Sequence, residues 1–561
     1  MTMTAVRSRK YLMRAGIPPA SPAERTRPCV GFIRGETPYV IGLQNKQNSY
    51  INSLSVDYYW LFKRKLNGVK MPESKKENKA YSIIERRGIF YPAFDLYNAS
   101  SGFYDYGAIG LRILRGIEGA WRNIFVNGIG ATEIQTTDIV PEIVLKASGH
   151  VSTFTDPVID CKTCKSSFRA DKLLEEHYEK KHDAAGLAAL KKFDKKDMQA
   201  KIDEYKIRCQ RCGGELHGIE DVNLMFRTHL GHGPDNVAYL RPETAQGIFV
   251  DFKNIFRIYG LRLPTAIAQS GKAYRNEISP RQQLVRMREF HQMETEIFFD
   301  PGAEQKRFNA VDLDALLSEE ISFVYRGGRE SRETLRALLK NGQIPNKLFA
   351  MCVYMEARLL DTIGIPKNLY RFREVEREEL PHYSKGNVDL EISTSYGWIE
   401  VSGNAYRADW DLSQHAKQSG KEIAVLGDGK KITPHVVEAS IGLDRLFISL
   451  LDTAAQEGRD RGWEWLRLSE SVAPYKYAVL PLQKDAKLED MAARLQAGLS
   501  ERGVASYYSA SGSIGKRYAK SDEIGVPYAI TVDFQSLDDG TVTVRDRDTA
   551  KQVRKKAGDI K

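Results

Sequence analysis

Residues 272–299 decide how this chain is read. They run Lys272-Ala273-Tyr274-Arg275-Asn276-Glu277, then a basic loop through Pro280, then Arg288-Glu289-Phe290-His291-Gln292-Met293-Glu294-Thr295-Glu296-Ile297-Phe298-Phe299. The two ends predict a pair of strands joined as a hairpin. In the second, His291, Met293, Thr295, Ile297 and Phe299 share one face, and Phe290, Gln292, Glu294 and Glu296 share the other. The first face suits a core. The second carries a ring and two carboxylates, a costly choice for a strand that only packs. By the same parity Arg275 and Glu277 point together from the first strand. A hairpin that turns charge inward has the form of a site.

Working outward, Arg241-Pro242-Glu243-Thr244-Ala245-Gln246-Gly247 precedes the hairpin. Far downstream, Glu438-Ala439-Ser440-Ile441-Gly442-Leu443-Asp444-Arg445 reads as a strand that turns at Gly442 into a helix, with Glu438 and Ser440 on one face. The chain has neither a Walker A loop nor a G-x-G-x-x-G turn, so any nucleotide phosphates must be held by side chains. Arginine suits that task, because its planar fork bridges phosphate oxygens and keeps its charge. Arg275 and Arg445 are the candidates.

With 561 residues, the chain is too long for one core, and two to four domains are expected. Its composition, 42% hydrophobic and 28% charged, is that of a globular protein without a membrane span or an apolar signal segment. A formal charge of +10 tolerates a polyanion such as nucleic acid without requiring one. Four of the six cysteines fall in two Cys-x-x-Cys pairs, which fits metal binding in a reducing compartment better than disulfides; a cytoplasmic protein is expected.

Residues 1–28 read as a basic tail, with a transit peptide as the alternative, and residues 1–80 form an unassigned extension. Positions 111–126 repeat apolar residues at helical spacing. Residues 161–212 predict charged helices between the cysteine pairs, and 301–380 a largely helical stretch with 332–339 and 348–360 as its clearest helices. Strands are expected at 388–394 and 397–401. From Tyr477 a small α/β module begins, only mildly basic.

The order of these motifs, together with Gly102-Phe103-Tyr104-Asp105-Tyr106-Gly107, Ser148-Gly149-His150 and Gly512-Ser513-Ile514-Gly515-Lys516-Arg517, resembles the glycyl-tRNA synthetases, specifically the homodimeric archaeal and eukaryotic-like kind. The likeness runs from about residue 81 to 553, with the three class II motifs at 102–141, 272–299 and 434–451. It implies an α+β fold, a class II antiparallel sheet flanked by helices. The catalytic domain would span 81–470, with insertions near 155–225 and 301–380, and an anticodon-binding domain 471–561. It also implies ATP-dependent activation of glycine with Mg²⁺, then transfer to tRNA(Gly), by a homodimer without a membrane role.

By position, the resemblance implies that Arg275 holds the α-phosphate and Glu277 and Phe290 take the adenine. Arg286 and Arg445 would reach the outer phosphates. Glu400 would sit beside the nucleotide and help hold magnesium, with Asn276, Val401 and Gly442 completing the ATP site. Glu243, Glu294, Glu438 and Ser440 would surround the glycine ammonium, with Arg169 and Arg407 also on the amino-acid side. Ala108 stands where the family has proline, and Asn98-Ala99-Ser100-Ser101 where it has a glycine-rich turn; both bear on dimer geometry. Two rivals are a non-catalytic nucleic-acid-binding paralogue and a class II synthetase for serine, proline or threonine.

Two zinc ligand sets are open. Cys161, Cys164, His177 and His182, with Phe168 and Leu174, have the spacing of a C₂H₂ finger. Cys161, Cys164, Cys209 and Cys212 would make a four-thiolate site. The second is preferred, because it gives the Cys209 pair partners and because 168–174 resembles a segment the family keeps without the cysteines. Cys29 and Cys352 are expected to be ordinary thiols.

Overall fold

The computed structural model describes residues 79–560 except 98–100, 191, 234, 281, 381–383, 428 and 459–460. The expectations for the amino-terminal extension, for Cys29 and for the turn at 98–100 lie outside the described residues.

A nine-stranded sheet carries the site. Its strands are β1 (Thr132–Glu133), β2 (Thr265–Tyr274), β3 (Glu289–Phe299), β4 (Glu320–Val324), β5 (Glu330–Thr334), β6 (Tyr370–Glu374), β7 (Asn387–Thr394), β8 (Gly397–Ala408) and β9 (His435–Gly442). They lie in the order β5-β4-β6-β7-β8-β9-β3-β2-β1. All neighbours are antiparallel except β1 with β2 and β4 with β6.

Five helices flank it: α1 (Ala108–Trp121), α2 (Ala245–Ile258), α3 (Lys347–Ile363), α4 (Trp410–Ser419) and α5 (Leu443–Ala454). The alternation of β3 assigns its two faces. Met293, Ile297 and Phe299 join the main core with residues of α1, α3 and α5. Phe298 points the other way, stacks on Phe252 of α2 at 4.1 Å, and closes a second core with Ile267. Full burial of each such side chain contributes about 1.5–3 kcal/mol, so neither face can be exchanged for the other. α3 starts where Asn346 accepts from the Phe349 N–H at 2.9 Å, a side-chain cap for an otherwise unpaired donor.

Two expectations are corrected. The stretch 301–380 is not largely helical: β4 and β5 form a hairpin there, and 332–339 is half strand, half helix. Pairing with β4 overrides local helix propensity up to Thr334, whose hydroxyl then caps the helix Leu335–Lys340. The first hairpin strand also ends earlier than its sequence suggests, at Tyr274, so Arg275 and Glu277 leave from the loop rather than from the strand.

Between α1 and α2 the chain builds a separate layer. Thr155–Cys161, Ser167–Arg169 and Leu216–Asn223 form a three-stranded sheet, covered by helices Ala170–Lys180, Ala184–Leu190 and Lys195–Glu204 around Ile159, Leu174, Tyr178 and Ile202. At the carboxy end, β10 (Tyr477–Pro481), β11 (Ser506–Tyr508), β12 (Tyr528–Val532), β13 (Thr541–Asp546) and β14 (Gln552–Lys556) form a five-stranded sheet in the order β11-β10-β12-β13-β14. Its first three strands are parallel, which fits the α/β expectation for this segment.

Candidate active site

A cleft of about 240 Å³ opens where β3, β8 and β9 meet the loop between β2 and β3. Arg275, Glu277, Arg286, Phe290, Glu400, Val401, Gly442 and Arg445 line it, and so do Glu243, Glu294, Glu438 and Ser440. One wall therefore collects the sequence-predicted nucleotide residues and the floor collects carboxylates.

Backbone and packing position the cations. The Arg275 N–H donates to the Arg288 carbonyl at 2.9 Å, and its Nε donates to Pro242 O at 3.2 Å. Its guanidinium lies 5.3 Å from the Phe290 ring and 5.2 Å from Phe154, so two aromatic faces hold it. Arg286 Nε donates to Glu277 Oε2 at 2.7 Å. Arg445 comes from the first turn of α5 and donates to Val285 O (3.1 Å), Glu400 O (3.1 Å) and Glu400 Oε1 (3.3 Å). Its neighbour Asp444 is buried and accepts from Tyr106, the His291 N–H and His291 Nδ1, which ties α5 to β3.

At the other end, Ser440 and Glu294 are directly paired across β9 and β3, and Ser440 Oγ donates to Glu294 Oε1 at 2.8 Å. The Thr244 hydroxyl donates to the other oxygen. Burial, then the nearby Glu438 and Glu243 carboxylates, push Glu294 up to about 8. Burial also raises Glu438, although Arg407 opposes it from 2.6 Å. Glu243 goes the other way: burial disfavours its charge, but His150, at 3.5 Å, and Arg407 outweigh that and hold it well below the usual range. The floor gathers more carboxyl groups than the cations Arg407 and His150 can pair, so it favours a further positive group such as an ammonium.

The Arg241-to-Gly247 segment fits this cleft through its glycine contacts. A Cβ on Gly247 would stand 2.3 Å from Thr136 Oγ1, and one on Gly271 would stand 2.4 Å from Arg241 Nη2. Glycine lets α2 lie against Thr136, just after β1, and lets the Arg241 guanidinium lie against β2.

Three predicted residues are elsewhere. Arg169 pairs with Asp156 (2.9 Å) and Asp171 (2.6 Å) and does not line the cleft. Arg407 is buried behind the floor, bonded to Asp411 and Glu438, so it props the acids from below. Asn276 contributes a backbone N–H to Leu224 O, not a lining side chain. For both arginines a nearer carboxylate captures the group.

The carboxy-terminal segment, residues 476–561, matches the family described as the anticodon binding domain. The glycine–tRNA ligase of Pyrococcus horikoshii is 38% identical, covering 85% of this chain and 96% of that protein. That of Methanothermobacter thermautotrophicus is 35% identical, covering 86% and 97%. The chain belongs to the glycine–tRNA ligase family. Giardia lamblia prolyl-tRNA synthetase, solved in complex with prolyl-adenylate, shares the fold with a TM-score of 0.51 at 13% identity, over 86% of this chain and 75% of that one.

For this ligase the sequence reading missed Asp389 of β7. It lines the cleft with Glu400, is held by Arg373 at 2.6 Å, and is pushed up to about 8 by burial and the Glu400 charge. The alternation Val388-Asp389-Leu390-Glu391 was the available signal, since two acids on one face of a strand need partners.

The ligase's cysteine pairs also meet. Cys161, Cys164, Cys209 and Cys212 present their sulfurs within 4.8 Å of one another, with Cys161–Cys212 at 3.5 Å and Cys164–Cys209 at 3.6 Å. Zn–S bonds of 2.3 Å in a tetrahedron place sulfurs roughly 3.8 Å apart, so the set fits zinc. His177 instead stacks on Tyr205 at 4.5 Å. Among the described residues no other such cluster forms, and His177 and His182 are not part of it.

Proposed function

We propose that this ligase activates glycine with ATP in the cleft of β3, β8 and β9 and passes the glycyl group to the 3′ end of tRNA(Gly). The observation that carries this is the shared cleft: Arg275 and Arg445 line it together with Glu243, Glu294 and Glu438. A glycine carboxylate oxygen attacks the α-phosphorus, the bond to the bridging oxygen breaks, and pyrophosphate leaves. Then a ribose hydroxyl of the terminal adenosine attacks the glycyl carbonyl and AMP departs. No covalent enzyme intermediate is needed, so positioning and charge neutralisation do the catalysis.

In this reading Arg275 holds the α-phosphate, Arg286 and Arg445 the outer phosphates, and Phe290 stacks on adenine beside Glu277. Asn276 adjoins the ATP site, and Val401 and Gly442 shape its wall. Glu243, Glu294, Glu438 and Ser440 receive the ammonium; Arg407 supports them and Arg169 braces the neighbouring insertion. Phe290 and Glu294 lie on one face, four residues apart, so about 13 Å separates base and ammonium at ~3.3 Å per residue. Glu400 and Asp389 offer hard oxygen donors, the set that suits Mg²⁺, which when bound neutralises phosphate charge. The four cysteines hold a structural Zn²⁺.

Specificity for glycine follows from the same floor. An apolar pocket separates substrates differing by a methyl by only ~1–3 kcal/mol, so gripping the ammonium while leaving no room beside it is the available route. The reading extends to a homodimer, supported by the exposed apolar residues Tyr91, Phe94, Leu96 and Tyr97. It also extends to a cytoplasmic place in protein synthesis; no described helix is long and apolar enough to cross a membrane. The deciding experiment is amino-acid-dependent exchange of pyrophosphate into ATP. Glycine is expected to support it; serine, alanine or proline outperforming glycine would refute the specificity.

A further inference from the structure

Beneath the carboxylate floor lies a residue that the reaction as described does not use. Glu296 of β3 is completely buried, and among the described residues neither of its oxygens has a hydrogen-bond partner. Its neighbours are all served: Glu294 by Ser440 and Thr244, Glu438 by Arg407, Glu243 by Gln246, and Asp411 by Arg407 and Gln246. An ionised carboxylate buried with no donor is heavily penalised. Protonation removes the penalty and creates a donor.

The register says where that donor can go. Glu296 is directly opposite Glu438 in the β3–β9 pair, and residues paired this way share a face with Cβ atoms roughly 4.5–5.5 Å apart, within reach of one carboxyl to the next. Glu438 Oε2 is already held by Arg407. On its other side β2 places Ile267, and α2 covers this face with Phe249 and Phe252 against Phe298, so no second polar partner approaches from there.

We propose that Glu296 is a positioning residue of the glycine site: it stays a neutral carboxylic acid and donates its O–H to Glu438, fixing that carboxylate where the substrate ammonium meets it. The proposal rests on the glycine reading of the cleft. The charged groups around Glu296 agree with it. Burial first, then Glu438, push it well above the usual carboxylate range; Arg407 pulls against them, and Glu294 and Asp411 add to the rise. From the opposite face of the sheet, Cys352 of α3 feels the same carboxyl. A neutral Glu296 also leaves Glu294 free to give up its own proton when an ammonium arrives, because one fewer negative charge then stands two residues away.

Two substitutions in the full chain separate this role from space filling, with KM for glycine and for ATP measured independently by pyrophosphate exchange. Glu296→Gln keeps a neutral donor, and its glycine KM is expected within about twofold of the unmodified enzyme. Glu296→Leu keeps the bulk without the donor; loss of a hydrogen bond to a charged group is expected to raise glycine KM roughly tenfold, with ATP KM and the thermal midpoint not impaired. An unchanged glycine KM in the leucine variant would overturn the proposal. So would equal losses in both variants, since a neutral donor would then not suffice. The infrared difference between the unmodified and glutamine proteins is a second readout that needs no activity. It should show loss of a protonated-carboxyl carbonyl band, and loss of carboxylate bands alone would overturn the idea. A protein with no glycine-dependent exchange but with that band would refute the activity reading and leave the neutral acid standing.

Discussion

Arg275 and Arg445 line the same cleft, one from the loop after β2 and the other from the first turn of α5. Each is oriented by a backbone carbonyl, Pro242 O for Arg275 and Val285 O for Arg445, so neither depends on a carboxylate alone for its position. Two cations held this way keep their charge for a ligand. Replacing either by alanine is expected to slow pyrophosphate exchange by ~10²–10³-fold, the usual cost of removing one preorganised donor from developing charge. Arg275→Lys should recover only part of the rate, because an ammonium cannot bridge two oxygens in a fork. Exchange at the unmodified rate in both alanine variants would show that the phosphates bind elsewhere.

Glu294 makes a pH prediction with a definite sign. Its folded value is about 8, raised by burial and then by Glu438 and Glu243, against about 4.3 for an unperturbed glutamate. Between those values the folded chain holds a proton that the unfolded chain has released, so stability falls as pH rises through that window. Glu294→Gln removes the penalty. It is expected to stabilise the protein at pH 8 by an amount on the order of 1–3 kcal/mol in urea unfolding, with the gain shrinking toward pH 5. The same variant should lose glycine-dependent exchange. In the unmodified enzyme, glycine KM should decrease as pH rises toward 8, since the ammonium replaces that proton; a KM that rises instead contradicts the assignment.

The four-thiolate site predicts about one zinc per chain. Cys209→Ser with Cys212→Ser should abolish it, as measured by metal analysis of the purified protein. His177→Ala should leave it intact, because that ring stacks on Tyr205 rather than facing the sulfurs. Metal kept by the double-serine variant would restore the finger reading.

Ala108 is the first residue of α1, and Gly107 before it is extended at φ −69° and ψ 173°. Proline is favoured at that position and requires an extended predecessor. Ala108→Pro should therefore stabilise the protein by about 0.4–1 kcal/mol through the unfolded chain. A lower thermal midpoint would mean that this N–H or the dimer geometry depends on alanine.

Much of the site was legible in the order of residues. The alternation of β3 separated Met293, Ile297 and Phe299, which join the main core, from Phe290, Gln292 and Glu294, which line the cleft; His291, read on the core face, lines the cleft as well and bonds Asp444. The strand-turn-helix at Glu438 to Arg445 was readable for the same reason: periodicity changes from two to about 3.6 at Gly442. Residues 332–334 were read as the start of a helix, because their pairing partner β4 is a tertiary contact that no local pattern announces. Arg169 and Arg407 do not line the cleft, because an arginine's partner is chosen in space. Asp171 is close in sequence to the first, but Glu438 reaches the second from another strand.

Sequence alone settled the chemistry on offer: which strand faces carry charge, that four cysteines fall in two Cys-x-x-Cys pairs, and that neither a Walker A loop nor a G-x-G-x-x-G turn is present. Tertiary structure decided which of those groups share a solvent-exposed cavity. It brought Asp389 to Glu400, put Arg407 under the floor, and left Glu296 with no donor among the described residues. The physical reason is that side-chain direction along a strand is a local property with a period of two, whereas the charge state of a buried acid depends on every group packed around it.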